Sequence, residues 1–236
     1  MKQKLTLISI TTIIVILGCA IMLSTEIPEA ESHNYNLAES LYAKVNPSED
    51  TSILMDFYAN VGDFSNDYIL AIGIKSYLSQ NSEEVTAIPE AEVAKNIYEI
   101  FGKNISYENS NVSLLSGNYC TFYYNEETKI YYAQDRCHTS TLDFFYRTIS
   151  NIEIDNDNIY VYEKSIYVYR EEDLGFNHVS IYDNVVAKNL IKSYEDNPEN
   201  PAPININDYL NEASTYKYTF TKENGDFIFK GIELLK

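Results

Sequence analysis

Tryptophan is absent from the 236 residues, histidine occurs three times, and glycine only eight times. No glycine-rich loop that could cradle a phosphate is present, and no Gly-x-Ser-x-Gly nucleophile turn. The histidines, His33, His138 and His178, are far apart in the chain and lack metal-ligand spacing. A zinc site needs a second ligand near one of them, and only the neighbouring Cys137–His138 pair offers that. Basic residues are few as well: 17 Lys and Arg stand against 35 Asp and Glu, for a formal charge of −18. Such a surface repels nucleic acid and anionic lipid headgroups, so no nucleic-acid partner is expected, whereas cationic partners or divalent cations are tolerated. No catalytic, metal or cofactor-binding residue is read from the sequence.

What is present begins with a long apolar run. Leu5 to Ser24 contains no charged residue, and eleven of its twenty residues are Leu, Ile or Val. As a helix it spans about 30 Å, the thickness of a bilayer core. Those eleven residues favour insertion by roughly −4 kcal/mol in total. Lys2 and Lys4 precede the run, and Glu26, Glu29 and Glu31 follow it. The positive-inside bias then keeps residues 1–4 in the cytoplasm and puts the chain after the run outside. The sequence predicts a transmembrane helix over 5–24, a stalk over 25–34 that contains Pro28, and an extracytoplasmic domain over 35–236. With Lys2 and Lys4 on the inner side, residues 26–236 carry a formal charge of −20, against −18 for the whole chain. Ile16-Leu17-Gly18-Cys19 has the form of a bacterial lipoprotein box, which gives a second expectation, lipidation at Cys19. Both readings place the domain on the same side.

Beyond the anchor the pattern is first helical and then alternating. Apolar positions 37, 41 and 45 with Tyr42 predict a helix over 35–45. Ser65 or Asp63 can cap the next, to about Ser79, with a face of Ile69, Ile72, Gly73 and Leu78 and with Phe64 stapling onto Ile69. Pro89 opens another, with Val93, Ile97, Ile100 and Phe101 as its stripe and Gly102 as its stop. Period two then takes over. Tyr119–Asn125 and Thr128–Gln134 form one hairpin, and Phe144–Ile154 and Ile159–Arg170 a second around Asp155-Asn156-Asp157-Asn158. His178–Asp183 reads as a strand, Asn184–Tyr194 as ambiguous, and Asn207–Ala213 as a short helix. In the last hairpin Tyr216, Tyr218 and Phe220 alternate with polar residues, Asn224-Gly225 turns the chain, and Phe220 falls opposite Phe229. Helices followed by an antiparallel meander define an α+β fold: two or three helices packed on a mostly antiparallel curved sheet, as in cystatin-like or nuclear-transport-factor-like cones.

Several short patterns have alternative meanings. Cys120 and Cys137 are the two cysteines outside the anchor. A disulfide between them would close a loop of about 18 residues and add roughly 3 kcal/mol. The alternatives are two free thiols, or a reactive thiol with His138 as base, though sequence neighbours on a strand point to opposite faces. Asp155-x-Asp157 begins like a calcium loop but lacks the glycine and the final glutamate of one, and a hairpin tip explains it. Ser214-Thr-Tyr-Lys217 has Ser-x-x-Lys spacing without its companion motifs. Glu171-Glu172-Asp173 and Glu195-Asp196 could supply a general acid and base, but such runs are usually solvated loops.

The anchor, the stretch Ile97-Tyr-Glu-Ile-Phe-Gly-Lys-Asn-Ile-Ser-Tyr107, and the terminal hairpin from Thr215 to Glu233 together resemble the uncharacterised single-anchor extracytoplasmic proteins of low-GC Gram-positive bacteria. The resemblance implies location and carries no activity. The functional expectation is a membrane-anchored binding or accessory module that engages a protein, peptide or cell-wall partner without catalysis. A cell-surface hydrolase and a small-ligand or cation-sensing domain are the alternatives.

Overall fold

The computed structural model describes residues 29–46, 64–81, 85–114, 119–136, 144–173, 176–184, 189–197 and 202–235. The segment 5–24 expected to span the membrane, Cys19, Cys137 and His138 lie outside the described residues, as does the whole of 52–61, and the side chains of His33 and Cys120 are not described. The membrane, lipidation and disulfide expectations therefore all fall on undescribed groups. Among the described residues no helix is long and apolar enough to cross a membrane. The chain divides into two compact units, Met1–Leu37 and Ala38–Lys236. The described part of the first is helical.

The second unit is α+β. Helix α1 (Glu29–Val45) begins six residues before the predicted start, inside the segment read as stalk. Its part within this unit buries Ala38, Leu41 and Val45, one stripe at helical spacing. Helix α2 (Asn66–Gln80) starts at Ser65, whose Oγ accepts from the Tyr68 N–H at 3.2 Å. It is buried on every side from Tyr68 through Ser76 rather than along one face. Phe64 stacks on Tyr68 at 5.7 Å between centroids, so the staple closes one residue earlier than expected. Helix α3 (Glu90–Phe101) buries the predicted Val93, Ile97, Ile100 and Phe101, and Gly102 stops it at φ +83° with its N–H on the Tyr98 carbonyl. Pro89 is the residue before that helix and not its first turn. It ends a short strand, β1 (Ala87–Pro89), that the sequence reading missed.

Two antiparallel sheets follow. The first has the order β1–β4–β3–β2, with β2 (Val112–Ser113), β3 (Tyr119–Asn125) and β4 (Ile130–Arg136). Its helix-facing side buries Ile88, Val112, Phe122 and Tyr131. The second contains β5 (Phe144–Ile154), β6 (Asn158–Asp173), β7 (Phe176–Tyr182), β8 (Leu190–Asp196), β9 (Ser214–Glu223) and β10 (Asp226–Leu235). The predicted hairpins are present, and Phe220 lies opposite Phe229 with ring centroids 5.3 Å apart. Of the ambiguous stretch, Leu190 to Tyr194 belong to β8, and the short helix expected at 207–213 is a single 3-10 turn, Ile206–Tyr209.

The second sheet is forked. One edge of β6 pairs with β5 from Ile159 to Val168. The other edge pairs with β9 from Asn158 to Ser165 and then with β7 from Tyr167 to Asp173. At the split the Ser214 N–H donates to the Asp183 carbonyl at 2.8 Å. Asn184 Nδ2 reaches the Asp183 carboxylate at 2.9 Å and Ser214 Oγ at 3.3 Å. These bonds satisfy backbone and side-chain groups that parting strands would otherwise leave unpaired. Each limb has its own interior. Ile159, Val161, Tyr218, Phe220 and Phe229 are buried on the first limb, where Phe229 meets Phe64 and Phe101 in ring contacts. Ile166, Val168, Val179, Ile181 and Ala213 form the second cluster.

Candidate functional site

A strand with period two should show its apolar residues on one parity. In the first half of β6 that parity is Ile159, Val161, Glu163 and Ser165, all buried. Glu163 is thus a carboxyl in a position built for a hydrocarbon, and its exposure is 0%. Burying a lone carboxylate is costly unless donors surround it. Two come from other elements. The hydroxyl of Tyr42, on α1, and that of Tyr218, on β9, both donate to Glu163 Oε2, the second at 3.1 Å. The two rings meet edge to face with centroids 5.1 Å apart. Arg147 on β5 donates from Nη1 to Asn46 Oδ1 at 2.8 Å, just past the end of α1. Its charge is felt at Glu163.

Among the described residues the other carboxylate oxygen, Glu163 Oε1, is buried without a hydrogen-bond partner, and so is Ser165 Oγ, two residues along on the same face. Burial pushes the Glu163 carboxyl above the usual carboxylate range. The Tyr42 hydrogen bond, the Arg147 charge and the Tyr218 hydrogen bond pull it back down. The Tyr42 phenol is pushed far up, by burial first and by the Glu163 charge second.

A second concentration of side chains lies on the first sheet. On its outward face Tyr123 and Tyr132 are direct cross-strand neighbours, each 39% exposed. Ala87 lies beside Tyr132 in the next strand, and Pro89 and Ile130 continue the same face. At the rim the Tyr124 hydroxyl donates to Glu90, and Lys129 Nζ reaches that hydroxyl at 3.2 Å. The Tyr131 hydroxyl donates to Asn109 Oδ1 at 2.6 Å. Tyr98 and Tyr107 meet edge to face at 6.2 Å, and burial, with Tyr98 next, lifts the Tyr107 phenol to about 12.

Among the described residues, those singled out in the sequence do not converge. Asp155 forms a hairpin tip, its Oδ1 accepting from the Asp157 and Asn158 N–H groups, which hold its carboxyl below the ordinary value. Ser214 belongs to the fork, and Lys217, three positions along the same strand, places its ammonium 4.4 Å from the centroid of the Tyr160 ring. Asp196 is buried and accepts from the Asn197 and Ala202 N–H groups, so it shapes a loop. Glu171 and Glu195 are exposed and flank His178 in register. His178 Nε2 lies 2.8 Å from Ser193 Oγ on an open sheet face, with both residues exposed. Among the described residues no group of three His, Cys, Asp or Glu could hold a metal ion. A shallow crevice lined by Leu41, Lys44, Val45, Glu99, Ile100 and the phenylalanines of β9 and β10 has no interior room even for a water molecule, unlike a ligand pocket.

Sequence reasoning missed the Glu163 cluster, although the signal was available: an acidic residue on the apolar parity of a long strand. No protein-family model, no curated protein and no solved structure matches the chain at a significant level.

Proposed function

We propose that the chain is a non-enzymatic binding module, held outside the membrane by residues 5–24, and that its outward tyrosine face grips a basic segment of a protein partner. The observation that carries this reading is the half-exposed Tyr123–Tyr132 pair, set side by side on a sheet whose other face is buried. A tyrosine ring offers an apolar face for a side chain and a hydroxyl for a polar group. Lysine and arginine are attracted to such rings. The chain's own lysines already use this contact, Lys217 over Tyr160 and Lys192 over Tyr194. The formal charge of −18 favours the same class of partner by long-range attraction. The helices under the sheets fit a cystatin-like or nuclear-transport-factor-like cone, a scaffold on which a sheet face is free to bind.

The test uses immobilised full-length chain and two synthetic peptides, one rich in Lys and Arg and one of matched length rich in Asp and Glu. The basic peptide should bind, the acidic peptide should not, and Tyr123→Ala combined with Tyr132→Ala should weaken binding about tenfold, for two ring contacts of roughly 0.5–1 kcal/mol each. Equal binding by the double variant would remove the face from the proposal. Protease digestion of intact cells should remove the domain. A domain that survives until the cells are opened would reverse the orientation.

A further inference from the structure

We infer that Glu163 is a proton-operated latch for the C-terminal turns of α1: with its carboxyl neutral, Ala38–Val45 stays seated on the second sheet, and loss of the proton loosens that seat. The inference stands on the geometry of the cluster and does not depend on the tyrosine-face reading. Tyr42 ties α1 to Glu163 both through its hydroxyl and through its ring contact with Tyr218. Both phenols bond the same oxygen, Oε2, so Oε1 has no donor when the carboxylate is charged. A neutral carboxyl carries its proton on that orphaned oxygen, and Glu163, with 0% exposure, then holds no buried charge of its own.

The groups facing Glu163 come from each element packed around it. Tyr42 belongs to α1, Arg147 to β5, and Tyr216 and Tyr218 to β9, with Tyr216 in direct register and Tyr68 of α2 acting through Tyr218. Arg147 and the two phenols favour the ionised form, and burial opposes them. The carboxyl is held above its ordinary value of 4.5, so burial is the larger effect. The sign follows. A raised carboxyl contributes stability that is fully present below the unfolded value and is lost as pH rises through the folded one. Acid seats the helix, and alkali frees it.

Hydrogen exchange of the Ala38–Val45 amides in the full-length chain, corrected for intrinsic rates and followed from pH 4.5 to 8, tests the latch. In the wild type protection should fall by up to tenfold per pH unit until the carboxyl has ionised in the folded state, as expected for one linked proton. Glu163→Gln, neutral at every pH and able to accept both phenols, should keep its protection throughout and should exceed the wild type at pH 8. Tyr42→Phe should move the wild-type midpoint to higher pH, because a donor to the ionised form is lost. Parallel profiles for wild type and Glu163→Gln would overturn the latch. Should Glu163→Gln fail to fold, a Tyr42→Phe profile with an unmoved or lowered midpoint, or a wild-type profile that is flat, does the same. A purely structural role for Glu163 predicts loss of protection in Glu163→Gln at all pH values alike.

Discussion

At Gly73 helices α2 and α3 are in contact through a missing side chain. A Cβ there would lie 2.6 Å from Ile97 Cγ1 and 3.2 Å from Val93 Cγ1, and both neighbours are fully buried. Alanine is the better helix former by about 1 kcal/mol, but overpacking a closed core costs about 1–3 kcal/mol. The clash involves the first carbons of a stiff β-branched chain and not a flexible tip, so strain should win. Gly73→Ala is expected to lower the urea midpoint with an unchanged slope, and a raised midpoint would show that Ile97 gives way. The sequence placed Gly73 on the buried face of its helix, because the 3.6-residue period is a local signal. It did not reveal Glu163, because the meaning of that residue depends on Tyr42 and Tyr218, which lie 121 and 55 positions away. A charge between Tyr162 and Lys164 resembles a solvated strand face until the partner helix is in place.

Among the elements, those with short-range chemistry were the legible ones. The last hairpin is set by Asn224 at φ +53° and Gly225 at φ +100°, the two positive angles of a turn whose twist matches its strands. A Cβ on Gly225 would touch nothing within 4 Å, so replacement there probes the backbone alone. Gly225→Ala should therefore cost about 1–2 kcal/mol, the price of a left-handed L-residue, read as a lower thermal midpoint, whereas Asn224→Gly should be nearly neutral. Equal effects at the two positions would mean that the side chain of Asn224 matters more than the angle. The sequence missed β1 because its pairing is remote. β1 is three residues long and exists because Ala87–Pro89 aligns with Ile130–Tyr132 of β4. β8 alternates poorly, since most of its side chains are exposed, and only its register with β7 identifies it.

For the whole molecule, helices followed by a meander gave the α+β class correctly, but nothing in the order of elements announces a sheet that divides. Both interiors are built on β6, so they should melt together. Ile159→Ala in one and Ile181→Ala in the other should each cost roughly 2–5 kcal/mol. Far-ultraviolet and tyrosine circular dichroism should nevertheless trace a single coincident transition in both variants. Two separated transitions would mean that the limbs are independent.

The fork also changes what mutation can reach. An ordinary strand offers alternate positions to water, and half its residues tolerate polar replacement. Ser165, Ile166, Tyr167 and Val168 are all buried in succession where the limbs part, because what is outside for one interior is lining for the other. Over those four residues the ribbon has no permissive side. A substitution scan along β6 should therefore lose its every-other-residue rhythm there and regain it toward Asn158.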